Sequence, residues 1–235
     1  MTSPTPAEQP AACVFDAYGT LFDVAAPAIR CAAGLESKAE ALAHRWRDKQ
    51  LQYTWLRSLQ GRYVDFEHVT ADALDYALES LEIINPSLRN ELLALYRSLP
   101  AFPDARPALE TLRSLGVRSI ILSNGTPTML DQTVRAAGLD RLVDRILSVD
   151  RVGIYKPDSR VYQMAVDALG VSKDRIVFVS ANGWDAYAGA AFGFRVVWCN
   201  RAGAPIERLP GVLDRQIRSL DELPSSFRPG TPRTR

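Results

Sequence analysis

The stretch that most constrains this chain is Val14-Phe15-Asp16-Ala17-Tyr18-Gly19-Thr20, close to its amino end. Cys13 to Phe15 is a short apolar run with β-branched and aromatic content; it stops at a carboxylate, and Gly19 then supplies a tight turn. The pattern predicts a buried strand with Asp16 at its carboxyl end, the edge at which open α/β sheets hold their ligands. Taken alone, Asp16 also has the ordinary reading of a cap on the turn that follows it.

Where this strand finds its partners decides the architecture. From Val24 to Leu99 there is no strand pattern, only apolar residues at helical spacing. Ala39 to Leu59 carries Leu42, Trp46, Leu51, Trp55 and Leu59; Glu67 to Leu81 carries Ala71, Leu74, Leu78 and Leu81; Ser87 to Leu99 carries Leu88, Leu92, Leu95 and Leu99. From Pro103 the texture becomes alternating. Strands are predicted over Arg118–Leu122, Arg145–Val149, Ile176–Val179 and Arg195–Cys199. The helices between them, Asp104–Leu115, Pro127–Ala137, Asp158–Leu169 and Asp185–Phe192, are closed by Gly116, Gly138, Gly170 and Gly193. Such βα alternation predicts an α/β fold, a doubly wound and mainly parallel sheet with right-handed crossovers. Because the first strand precedes the helical stretch, the core must be discontinuous. Residues 11–23 and 100–224 form a Rossmann-like core domain, 24–99 an inserted all-helical cap able to close over the carboxyl edge, and 1–10 and 225–235 loose ends.

Composition narrows the function by exclusion. With 28 basic against 27 acidic residues, fairly interspersed, nothing recruits a nucleic-acid backbone or an anionic membrane. Cys13, Cys31 and Cys199 are odd in number and lack metal-ligand spacing, which argues against a disulfide framework and structural zinc. No apolar stretch reaches membrane-spanning length, and Thr2 to Pro10 is Pro-rich and polar where a signal peptide needs a basic and then an apolar run. A cytoplasmic protein is expected.

Polar groups recur at the ends of the later strands. Ser123-Asn124-Gly125-Thr126-Pro127 follows Leu122, Tyr155-Lys156-Pro157-Asp158 follows the strand ending near Val149, and Ser180-Ala181-Asn182-Gly183-Trp184-Asp185 follows Val179. Each has an ordinary explanation: turn residues at 123 and 124, a solvated loop lysine at 156, an acid favoured by the helix dipole at 185. In a doubly wound sheet, however, Asp16, Ser123, Asn124, Lys156, Ser180, Asn182 and Asp185 converge on one edge, and their joint appearance favours a catalytic site.

These four segments resemble the four motifs of the haloacid dehalogenase superfamily. With Trp46-Arg47-Asp48-Lys49-Gln50-Leu51-Gln52-Tyr53-Thr54-Trp55 and Arg62-Tyr63-Val64-Asp65-Phe66, the chain is similar, over almost its whole length, to the L-2-haloacid dehalogenases. One residue supports this apart from the cap. Phosphatases of the superfamily use an Asp-x-Asp pair whose second acid protonates the leaving alcohol; here that position is Tyr18, a phenol whose ordinary pKa near 10 makes a poor acid. Halide departure needs no proton. The resemblance implies hydrolysis of (S)-2-haloalkanoic acids to (R)-2-hydroxyalkanoic acids through an ester on Asp16, with Lys156, Asp185, Thr20, Ser180 and Asn182 also catalytic. Thr20 and Ser180 are implied to orient Asp16 by hydrogen bonding, and Asp185 to activate water. Arg47, Asn124 and Trp184 are implied to bind halide, and Tyr18, Ser123, Leu51, Phe66 and Tyr162 the substrate. Lys156 replaces a metal, no cofactor is expected, and the implied partners are a small 2-haloacid, water and a second copy of the chain in a homodimer.

Overall fold

The computed structural model describes residues 9–227, so most of the expected loose ends, 1–8 and 228–235, lie outside the described residues. The strands β1 (Ala12–Phe15), β2 (Arg118–Ser123), β3 (Arg145–Ser148), β4 (Ile176–Ser180), β5 (Arg195–Cys199) and β6 (Arg215–Ile217) form one sheet in the order β3-β2-β1-β4-β5-β6. Every pairing in it is parallel. The winding reverses at β1, so the switch point, where such sheets bind ligands, falls beside the strand that ends at Asp16. Phe15 pairs with Ile121 on one side and Val179 on the other, and the Asp16 amide donates to the Val179 carbonyl at 2.9 Å. That register carries Asp16 into line with Ser180.

The expected strands and helices are present within a few residues. Side-chain caps fix several helix starts: Asp65 accepts from the His68 amide at α3 (Phe66–Ser80), Asn85 from Leu88 at α4 (Pro86–Tyr96), Thr126 from Met129 at α6 (Pro127–Ala136), and Asp158 from Arg160 at α7 (Ser159–Leu169). Three elements differ from expectation. β6, only Arg-Gln-Ile, has no apolar run to announce it. α1 (Ala26–Arg30) is one turn started by proline. A 3-10 run over Leu220–Phe227 continues past residue 225, anchored by buried Leu220 and Leu223. Among the described residues no helix is long and apolar enough to cross a membrane, and the three cysteines are free and buried.

Between β1 and α5 (Ala105–Ser114) stand helices rather than strands. α2 (Ala39–Leu59) lies along α3 and buries Leu42 and Trp46 against Val69, Leu74 and Leu92 of the helical core. Each fully buried Leu or Val there contributes on the order of 2 kcal/mol. The two chain segments that join this helical block to the sheet run side by side, the Asp23 amide donating to the Pro100 carbonyl and the Phe102 amide to the Leu21 carbonyl, each at 2.9 Å.

Asp104 secures this crossing. Its carboxylate takes a bidentate Arg201 at 2.6 and 2.9 Å, the Ser219 hydroxyl at 2.9 Å and the Leu220 amide at 2.8 Å. Burial works to raise its pKa, but the guanidinium and the other donors outweigh burial and hold it below the ordinary carboxylate value. A carboxyl with a depressed folded value contributes stability above its unfolded pKa, near 4, and that contribution is lost as pH falls through the folded value. Asp104→Asn is therefore expected to lower stability by about 3 kcal/mol at neutral pH, measured by denaturant titration. The gap from the parent should narrow below about pH 4; a gap that stays constant down to about pH 3 contradicts it.

Candidate active site

At the tip of β1 the Asp16 carboxylate meets three donors. Lys156 Nζ reaches Oδ1 at 3.0 Å, while Oδ2 accepts from Thr20 Oγ1 at 2.9 Å and from Asn182 Nδ2 at 2.7 Å. Thr20 is fixed from behind, its hydroxyl oxygen accepting the Ala181 amide at 2.8 Å. Gly19, at φ 90°, turns the chain back so that Thr20 can lie over the strand end.

Lys156 is 1 % exposed and stands between two acids, since its Nζ also donates to Asp185 Oδ2 at 2.8 Å. Burial works against its charge, yet the carboxylates of Asp16 and Asp185 outweigh burial and raise its pKa. Asp185 lies in the first turn of α8 (Gly183–Phe192), which begins two residues earlier than expected. Burial raises the Asp185 pKa, the Asp16 charge adds to this, and Lys156 opposes it. Its Oδ1 accepts from the Tyr162 hydroxyl at 2.7 Å and its Oδ2 from the Ser180 hydroxyl at 3.1 Å. A lysine ammonium thus fills the space between the paired carboxylates. Among the described residues no cluster of three or more acidic, His or Cys side chains could hold a metal ion.

Two residues reach Asp16 only through others. Ser180, expected to bond Asp16, donates to Asp185 and accepts the Asn182 amide, because the last side chain of β4 turns towards the first turn of α8. Tyr162, expected at the substrate, is buried with its hydroxyl on Asp185 and its ring among Phe178, Phe192 and Phe194. Ser123 is fully buried and its Oγ accepts the Gly125 amide at 3.1 Å, while Asn124 Oδ1 accepts the Lys156 amide at 3.1 Å. The loop after β2 therefore positions the loop that carries the lysine.

The helical block supplies the far wall. Arg47 on α2 reaches across to the core, one guanidinium nitrogen lying 3.2 Å from Asn182 Oδ1 and 3.3 Å from the Tyr18 carbonyl, the other donating to Gln50 Oε1 at 2.7 Å. Asn182 links Arg47 directly to Asp16. Gln50 is held in turn by Thr70 at 2.8 Å and by the Tyr96 hydroxyl at 3.1 Å. Sequence reading missed this support, although Gln50 follows Arg47 by one helical turn and so shares its face.

Aromatic rings complete the enclosure. Tyr18 lies between Phe66 and Tyr96, with centroids 5.3 and 5.7 Å away, and burial pushes its phenol well above the ordinary value. Among the described residues its hydroxyl has no hydrogen-bond partner, and a Cβ on Gly125 would come within 2.8 Å of it, so a side chain there would force the ring to shift. Trp184 meets Trp55 edge to face at 5.4 Å, and its indole N–H is likewise buried without an acceptor. Leu51 lines an open groove of about 590 Å³ along α2 with Trp55, Leu56 and Leu59, and joins none of these hydrogen bonds. Beside the lysine loop, Tyr155 Oη donates to the Val64 carbonyl at 2.6 Å and Tyr63 bonds Asp150, tying the helical block to the segment that precedes Lys156.

Removing the ammonium leaves two buried carboxylates facing each other. In Lys156→Met, Asp185 keeps the burial that raises its pKa and loses the charge that lowered it. A raised carboxyl stabilises the fold below its unfolded value and loses that contribution as pH rises through the folded value. Lys156→Met is expected to be less stable than the parent by about 3 kcal/mol at neutral pH, and by less near pH 5. Thermal unfolding at the two pH values checks this; a deficit that grows on acidification contradicts it.

The chain is similar to known proteins over most of its length. A family model described as haloacid dehalogenase-like hydrolase matches residues 10–193. The chain is 46% identical to (S)-2-haloacid dehalogenase 1 of Pseudomonas sp. (strain CBS-3), covering 91% of this chain and 94% of that one. It is 45% identical to (S)-2-haloacid dehalogenase 4A of Burkholderia cepacia, covering 90% and 92%. Among solved structures, the L-2-haloacid dehalogenase of Xanthobacter autotrophicus with chloropropionic acid covalently bound superposes with a TM-score of 0.85 at 34% identity, covering 92% of this chain and 98% of that one. The chain belongs to the haloacid dehalogenase-like hydrolases.

Proposed function

We propose that this protein hydrolyses (S)-2-haloalkanoic acids to (R)-2-hydroxyalkanoic acids through an ester on Asp16. The observation that carries the reading is the pairing of a fixed carboxylate at the switch point with Tyr18 two residues on, where a phosphate-transferring relative keeps an acid. A phenol with a raised pKa is a poor proton donor to a leaving alkoxide near neutral pH; a departing halide asks for no proton.

The division of donors on Asp16 suits each half of the reaction. Oδ2 already accepts two hydrogen bonds and Oδ1 only one, so the uncommitted lone pair on Oδ1 attacks C2 and expels halide with inversion. Positioning a carboxylate in a dry enclosure supplies part of the roughly 7–11 kcal/mol available from orientation. After attack, Oδ2 is the ester carbonyl oxygen. When water adds to the Asp16 carboxyl carbon, the new oxyanion forms under Thr20 and Asn182, which already point at it. Asp185, whose pKa burial raises, takes the proton of that water. Arg47, Asn124 and the unpartnered Trp184 N–H receive the halide. Tyr18, Phe66 and Leu51 border the substituent at C2, and the segment 24–99 closes over the site as a cap, with Ser123 near the substrate carboxylate. Tyr162 and Ser180 hold Asp185. The three buried thiols fit a reducing cytoplasm, and a homodimer is what the family resemblance implies.

A single turnover of (S)-2-chloropropionate in ¹⁸O-water is expected to place label in the Asp16 side chain and yield unlabelled (R)-lactate; label delivered straight to lactate refutes the ester. Arg47→Lys is expected to lose about a hundredfold in kcat, because a point charge cannot hold Asn182, the Tyr18 carbonyl and a halide as the planar fork does. Retained turnover removes Arg47 from the halide site.

A further inference from the structure

The helical block joins the sheet through two adjacent linkers, and one side chain outside the site touches both of them. Arg201 follows β5, far in sequence from the nucleophile loop. Its Nη2 donates to the Thr20 carbonyl at 2.8 Å and to Asp104 Oδ1 at 2.9 Å; its Nη1 donates to Asp104 Oδ2 at 2.6 Å. Thr20 belongs to the linker that leaves β1, and Asp104 to the one that returns from the cap. The guanidinium carbon lies 4.1 Å from the centre of the Phe102 ring, which faces it from the second linker. The arginine is largely shielded from solvent; among the described residues its Nε has no hydrogen-bond partner, and its two terminal nitrogens bond Thr20 and Asp104.

We infer that Arg201, clamped by Asp104, is a positioning residue for the nucleophile. Thr20 is held through its amide by the Ala17 carbonyl, through its carbonyl by Arg201, and through its hydroxyl between the Ala181 amide and Asp16 Oδ2. Release of the carbonyl lets the backbone at Thr20 rotate, and the hydroxyl then moves off Oδ2. Oδ2 is the atom on which negative charge gathers when water attacks the ester, so the loss falls more heavily on hydrolysis of the ester than on its formation. Substrate binding, which uses groups from the cap and the other loops, is left nearly intact. The inference rests on Asp16 being the esterified group.

Arg201→Met keeps the length and packing of the stem and removes the fork. With (S)-2-chloropropionate it is expected to lower kcat by ten- to a hundredfold with KM within about threefold of the parent. The alkylated peptide bearing Asp16 should accumulate in the steady state, as read by mass spectrometry after an acid quench. Arg201→Lys, able to serve the carbonyl or the carboxylate but not both, should recover part of kcat. Ser219→Ala removes another bond to Asp104 without touching Thr20; it should lose stability yet keep kcat and show no ester build-up. Three results overturn the clamp: Arg201→Met losing activity only in proportion to its folded fraction, raising KM with kcat intact, or slowing without accumulated ester. Should Arg201→Met fail to fold, Arg201→Lys decides by the same ester measurement, and parental ester levels at parental kcat count against the clamp. A parent protein that releases no halide overturns the dehalogenase reading and the clamp together, whereas an active parent with an unimpaired Arg201→Met overturns the clamp alone.

Discussion

Lys156 stands between the carboxylates of Asp16 and Asp185, and the loops around the site are arranged to keep it there. At about 3 Å and an effective dielectric near 20, each contact yields roughly 5 kcal/mol of attraction. Withdrawing each ion from water costs several kcal/mol, so the triad adds little net stability, and an apolar trio of the same volume would hold the fold as well. What the triad supplies is an anion at Asp16 in a place where water is scarce. A hydrated carboxylate is a weak nucleophile; one whose hydration is replaced by three fixed donors needs little reorganisation before it reacts.

The donors are shared between jobs. Asn182 binds Asp16 with its amide nitrogen and receives Arg47 with its amide oxygen, so the group that holds the nucleophile also seats the guanidinium from across the cleft. Gln50, Thr70 and Tyr96 fix that arginine from within the helical block, and Tyr63 and Tyr155 pin the block to the lysine loop. Any separation of the helical block from the core would take Arg47 from Asn182 and leave both short of partners. The closed arrangement and the ready nucleophile are therefore coupled through one side chain.

The residues most visible in the sequence are those whose position needed only strand ends. Asp16, Asn124, Lys156, Ser180 and Asp185 could be placed because a parallel sheet brings its carboxyl edges together whatever the register, and Gly-closed helices marked the strands in between. Direction of hydrogen bonding was not visible. Ser180 and Tyr162 turn to Asp185, and Ser123 to its own loop, choices made by side-chain rotation that spacing does not encode. β6 escaped notice because three residues at a sheet edge require no apolar run. The bond between Arg201 and Asp104 spans 97 residues, and no local pattern links them. Gln50 was within reach of sequence reasoning, one turn from Arg47, had the helix been asked what holds its arginine.

Tyr18 decides which element the nucleophile can strike. Attack on phosphorus expels an alkoxide that must be protonated, and the residue two beyond the nucleophile is where a proton donor belongs; burial between Phe66 and Tyr96 has instead made this phenol a still weaker acid than it is in water. The same burial serves displacement at carbon, since a ring with an unpartnered hydroxyl turned against Gly125 offers the substrate an apolar face. Displacement and ester hydrolysis then make opposite demands, the first for exclusion of water and the second for one water molecule. The site meets both by separating them in space. The rings of Phe66 and Tyr96 come from the helical block, and the polar network of Asp185, Tyr162 and Ser180 is built from core residues around Lys156.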